Sequence, residues 1–77
     1  MAVLAYVFIQ VAAGKAFEVL KSIRGIEGVK SAHTITGEYD IVAFVEATSL
    51  SELGGVIVNK IQKVEGVTRT VTAIVVE

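Results

Sequence analysis

Among the 77 residues there is no cysteine, no proline and only one histidine. Without cysteine there is no disulfide framework and no thiolate site, so the cytoplasm is the default compartment. A lone histidine without cysteine also argues against a structural zinc site, and no other cofactor is expected. The chain has no uninterrupted apolar run of about 18 residues, the length a membrane span needs. Its N-terminal stretch, "MAVLAYVFIQVAAG", is apolar enough to suggest a signal peptide. It has no basic n-region, however, and Tyr6 and Gln10 interrupt it, so it reads as a strand. Charge of either sign is sparse. Seven Lys and Arg residues stand against eight Asp and Glu, for a net charge of −1. The basic residues are scattered, so they form no phosphate-tracking surface, and direct nucleic-acid binding is not expected. No Ser/His/Asp set, phosphate-binding loop or metal-ligand spacing is present.

What is abundant is apolar side chain. Hydrophobic residues make up 53% of the sequence, and the mean hydropathy is +0.69. A domain of this size buries only about 60% of its unfolded-chain surface. The excess over what one small core can use points to burial against a partner.

The chain answers itself at half its length. "IEGVKSAHTIT" from Ile26 parallels "VEGVTRTVTAI" from Val64, an offset of 38 residues. At the same offset Val3–Val7 aligns with Ile41–Val45, and Leu20 and Ile23 align with Val58 and Ile61. Each half is predicted to hold strand, helix, strand. The first helix is expected from Gly14 to Arg24, with Ala16, Val19, Leu20 and Ile23 on one face. The second opens at Ser49, whose spacing to Glu52 fits a capping box. Its apolar face is Leu50, Leu53, Ile57, Ile61 and Val64. Both helices lead into Glu-Gly-Val, where the Gly is expected to take the left-handed conformation that ends a helix. Two such units make a βαββαβ ferredoxin-like sandwich, an α+β fold of the dimeric α/β-barrel type. It has a four-stranded antiparallel sheet and both helices on one face. Residues 1–77 are read as this single domain.

The other face of the sheet is apolar too. Leu4, Tyr6 and Phe8 alternate with Val3, Ala5, Val7 and Ile9, and Val42 and Phe44 alternate with Ile41, Ala43 and Val45. An exposed antiparallel face normally carries polar residues. At about 1.5–3 kcal/mol per large apolar side chain buried, Leu4, Tyr6, Phe8, Val42 and Phe44 predict dimerisation through this face.

The halves differ most at "TGEYD", Thr36 to Asp40, where Asp40 stands against the first rung of a strand although strands are depleted in Asp. Thr70 and Thr72, assigned to the open face of the last strand, are a second difference. A Gly-bearing corner, an acid and two hydroxyls can form a pocket for a zwitterion, with a carboxylate for its ammonium and N–H and hydroxyl donors for its carboxylate. Equally, Gly37 can serve the turn alone with Asp40 accepting turn N–H groups, and Thr70 and Thr72 can be simple strand formers.

The segments "AYVFIQVAAGK", "IEGVKSAHTITGEYDIVAFVEA" and "ELGGVIVNKIQKVEGVTRTVTAIVVE" together resemble the effector-binding (RAM) domain of the Lrp/AsnC family. These are feast/famine transcription regulators that sense amino acids, and the likeness covers essentially the whole chain. The resemblance implies sheet-to-sheet dimers, assembled into octamers or decamers. It also implies an amino acid bound in a cleft between dimers, lined by the hairpin corner and the last strand. Carried over by position, it implicates Gly37, Glu38, Tyr39 and Asp40, with Thr70 and Thr72. Family regulators carry an N-terminal helix-turn-helix domain, whereas this chain starts directly at the first strand. It therefore resembles a stand-alone sensing domain without a DNA-binding domain, one that reaches DNA through full-length regulators of the family. Gly54-Gly55 inside the second helix is a further departure, costing roughly 0.8–1 kcal/mol per glycine relative to Ala.

Two alternatives belong to other classes. One is a small dimeric α+β barrel enzyme working in a pocket between helices and sheet, with His33 as its base. The other is an ACT-like amino-acid-binding module.

Overall fold

A computed structural model describes residues 2–77. Strand β1 (Val3–Val11) leads to helix α1 (Ala16–Arg24), then β2 (Val29–Thr34) and β3 (Ile41–Ala47). A second helical rod follows in three consecutive pieces: α2 (Leu50–Glu52), a π-helical stretch (Leu53–Val58) and α3 (Asn59–Gln62). Strand β4 (Val67–Ile74) closes the fold. The four strands lie in the order β2-β3-β1-β4, every neighbouring pair antiparallel. This is the expected βαββαβ sandwich.

Alternation along the strands separates two faces. Ala5, Val7 and Ile9 of β1 and Ile41, Ala43 and Val45 of β3 are fully buried, and Ala32 of β2 joins them. They pack against Val19, Leu20 and Ile23 of α1 and Leu53, Ile57 and Ile61 of the second rod. A nine-residue helix is too short to persist alone in water, so burial of this face is what holds α1. Its last turn is also tied down, because Arg24 Nε and Nη2 both donate to the Ala32 carbonyl of β2, at 3.0 and 2.8 Å.

The second rod departs from the expected regular helix. Its start is as predicted: the Ser49 hydroxyl accepts from the Glu52 N–H at 3.0 Å, and Glu52 Oε1 accepts from the Thr48 N–H at 2.7 Å. Leu50, expected on the buried face, is 63% exposed. The π-helical stretch holds Gly54 and Gly55, and a Cβ built on either meets nothing within 4 Å. Their absent side chains therefore make no room for anything within this chain. π turns are wider than α turns and place residues out of the 3.6 period. Leu53, Ile57 and Ile61 are nevertheless buried as the apolar spacing placed them. Leu50 lies in the first turn, ahead of the π-helical stretch, and stays in solvent.

Helix ends also differ in detail. The helices stop at Arg24 and Gln62, before the Glu-Gly-Val segments. The glycines of those segments do have positive φ, 99° at Gly28 and 102° at Gly66, but they turn the chain into β2 and β4 after the helices have ended. Each is also a close approach. A Cβ at Gly28 would stand 2.6 Å from Ile57 Cδ1, and one at Gly66 would stand 3.0 Å from Val19 Cγ2.

Candidate ligand corner at the end of the sheet

Between β2 and β3 the chain makes a corner through Gly37, whose φ of 109° suits a residue without a side chain. What fixes this corner is Asp40. Its N–H donates to the Ile9 carbonyl at 2.9 Å and its carbonyl accepts from the Ile35 N–H at 2.9 Å. Its carboxylate Oδ2 accepts from the Val11 N–H, also at 2.9 Å. Val11 sits where the β1–β4 register shifts, between Gln10 and Val11. Its N–H points to the β3 side, beyond the last β1–β3 rung at Ile9 and Ile41, and the Asp40 carboxylate supplies the acceptor the ladder no longer provides. An acid at the first rung of a buried strand is thus a clamp across three segments of backbone.

Around Asp40 the corner is built from side chains on the open face. Gln10 Nε2 donates to the Glu38 carbonyl at 3.1 Å. The Tyr39 ring lies 5.8 Å from that of Phe8, tilted by 50°. Arg69, opposite Gln10 in the β1–β4 register, holds its guanidinium carbon 5.8 Å from the centre of the Tyr39 ring. Gln10 and Arg69 were not among the ligand residues expected from the sequence, and Phe8 was assigned only to an interface. Their signal was parity. Once β1 and β4 are paired, residues facing Phe8 and Gln10 fall on the same side.

The same register corrects the placement of the two threonines. Thr70 pairs with Ile9 and Thr72 with Val7. Residues directly opposite share a face, so both lie on the helix side and not on the open side. Thr70 Oγ1 accepts from Gln62 Nε2 at 3.0 Å, from the last turn of the second rod. Polar residues are tolerated there because β4 is an edge strand and both threonines are only half buried. Within one chain the corner and the threonines are not brought together. Strand β1 lies between them, which puts them about two strand spacings, or roughly 10 Å, apart.

The remaining open face is as apolar as its sequence. Tyr6 is 45% exposed and its ring lies 5.0 Å from that of Phe44; Leu4, Phe8, Val42 and Phe44 are half buried. His33 is also exposed on this face, opposite Val42. It therefore points away from the helices, and an enzyme using it between helices and sheet has no geometric support. A groove of about 540 Å³ lies at the far end of the sheet, among Glu27, Lys30, Glu46, Glu52, Val56 and Lys60, and includes none of the expected ligand residues. Among the described residues no cluster of His, Cys, Asp or Glu is placed to hold a metal ion. Among the described residues no helix is long and apolar enough to cross a membrane.

The family model of the Lrp/AsnC ligand binding domain matches residues 4–77. The chain belongs to this family. Among curated relatives of this Lrp/AsnC domain, the HTH-type transcriptional regulator LrpA of Pyrococcus horikoshii is 35% identical over 63 residues, 82% of this chain and 45% of that protein. The structure of AsnC from E. coli superposes with a TM-score of 0.90 at 29% identity, covering 97% of this chain and 51% of the other. A transcriptional regulator of Neisseria meningitidis, NMB0573, solved as a complex with L-Met, shares the fold with a TM-score of 0.84. It is 21% identical, with 97% and 50% of the two chains covered. This Lrp/AsnC domain thus spans less than half the length of the curated relatives it matches.

Proposed function

We propose that this domain is an oligomeric amino-acid-sensing module that modulates transcription by associating with full-length Lrp/AsnC regulators. The observation that carries the reading is the corner. Three hydrogen bonds through Asp40 make Gly37, Glu38 and Tyr39 a fixed wall rather than a loose turn. Preformed walls with a few polar groups are what small-molecule sites are made of. A transcriptional regulator of the same fold, from N. meningitidis, was solved with L-Met bound, which supports the ligand class.

The proposed ligand residues are Gly37, Glu38, Tyr39, Asp40, Thr70 and Thr72. In one chain the Tyr39 ring packs on the open face while the threonines lie on the helix side. An amino acid that touches both sets therefore bridges two copies, in keeping with a cleft between dimers. Dimers themselves form through Leu4, Tyr6, Phe8, Val42 and Phe44.

The test is a thermal-shift panel with each of the twenty amino acids at millimolar concentration. Ligand at 100 times its dissociation constant adds about 2.7 kcal/mol, a shift of several degrees or more for a domain of this size. Silence across the panel would remove the sensing function.

A further inference from the structure

Beside the carboxylate of Glu38, the corner also offers a ligand a positive charge, the Arg69 guanidinium. The sequence suggested that Asp40 receives an ammonium group, but one of its two carboxylate oxygens, Oδ2, is already engaged by the Val11 N–H. Lys15 faces Glu18 at 3.5 Å, Lys30 faces Glu46 at 3.8 Å and Arg24 is bound to the Ala32 carbonyl. Of the cations left without an ion pair among the described residues, Lys21, Lys60, Lys63 and Arg69, Arg69 is the one placed at the corner. Arg69 makes no ion pair among the described residues. It is held against the corner by the Tyr39 ring alone. Arg69 is exposed and its contact with the half-buried Tyr39 ring is a single one at 5.8 Å. A cation–π contact of an exposed cation is weak, so the guanidinium can leave the ring for a better partner at little cost. Its fork of donors matches the two oxygens of a carboxylate. Gln10, its neighbour in the register, has its amide nitrogen fixed on the Glu38 carbonyl, which keeps the corner backbone beside the guanidinium.

We infer that Arg69 is the carboxylate-recognising residue of the corner, and that a free carboxylate is the obligatory feature of the effector. This rests on the sensing function proposed above and adds to it the group that reads the ligand. Arg69 is exposed on edge strand β4, so replacing it leaves the core untouched.

The experiment is calorimetric titration of the wild type, Arg69→Gln and Arg69→Lys, after circular dichroism has shown the three to be equally folded. The probes are the L-amino acids that stabilise the wild type, the α-amide of each, and the pair L-aspartate and L-asparagine. Arg69→Gln is expected to weaken the free amino acid by about tenfold or more, the effect of losing a charge-assisted bond. Arg69→Lys, with a point charge in place of a fork, should fall between. The α-amide should bind wild type and Arg69→Gln equally if the α-carboxylate is read. A dependence on Arg69 seen only with aspartate, and absent with asparagine, would assign the contact to a side-chain carboxylate and also supports the inference. Affinity for the free amino acid unchanged within about twofold in Arg69→Gln overturns it while leaving the sensing function intact. Wild type that binds no amino acid overturns both.

Discussion

If Asp40 is a clamp, its loss should be felt before any ligand is added. Asp40→Ala removes the acceptor of the Val11 N–H, a part-buried bond of 2.9 Å, just beyond the last β1–β3 rung, where no strand carbonyl replaces it. A buried donor left unpaired costs about 1–3 kcal/mol. Because this position is only part-buried, water recovers some of that, leaving about 1–2 kcal/mol. For a domain of 60–100 residues each kcal/mol moves the melting temperature by about 4–8 °C, so a drop of roughly 4–16 °C is expected. Asp40→Asn keeps an oxygen on the same stem and loses only the charge assistance, so it should retain about half of the difference. The assay is thermal unfolding followed by circular dichroism without amino acids, at one fixed protomer concentration because association shifts the midpoint. If Asp40→Ala melts within a degree or so of the wild type, the clamp is energetically idle. The carboxylate would then be free for the ligand, and the charge argument for Arg69 would lose its premise.

Two further outcomes follow from the packing. Gly28→Ala should destabilise by about 2–4 kcal/mol in denaturant titration, because it combines positive φ with a Cβ only 2.6 Å from Ile57 Cδ1. Gly54→Ala, with open space around it, should instead stabilise by about 0.4–1 kcal/mol; a loss there would mean that the π-helical stretch needs glycine. Phe44→Asp, placed against Tyr6 on the open face, should convert dimer to monomer in light scattering at micromolar concentration. The apolar burial lost is about 1.5–3 kcal/mol, a weakening of roughly tenfold to a hundredfold or more. A variant still fully dimeric would place the interface elsewhere.

Which parts of this were legible in the sequence follows from the range of the forces involved. The core faces of β1, β3 and α1 could be read because periodicity is local, and the Ser49–Glu52 cap because it spans four residues. The apolar open face was visible for the same reason. The side occupied by Thr70 and Thr72 depends on how β4 pairs with β1, a contact across some sixty residues of chain. Polarity alone pointed the wrong way there. The repeat held the answer, since Thr70 stands in the place of Ala32, which is buried. The meeting of Tyr39 with Phe8 and Arg69 joins three strands or their connections, and no spacing in the chain announces it. The π-helical stretch left one mark, the Gly54-Gly55 pair in an otherwise helical pattern, which signals an anomaly without its form.

The sheet order β2-β3-β1-β4 has a consequence for the two halves of the repeat. Strands β1 and β2 come from the first half and β3 and β4 from the second, so all three hydrogen-bonded ladders join a strand of one half to a strand of the other. The glycine contacts obey the same rule: Gly28 of the first half receives Ile57 of the second, and Gly66 of the second receives Val19 of the first. Neither half owns a single ladder. Cut apart, each would be two strands with a gap one strand wide between or beside them, which only the other half, or another copy, can fill. The halves are therefore woven rather than stacked, like the fingers of two hands. Such a molecule has no smaller folded part to fall back on, and it must gain or lose its structure in one step.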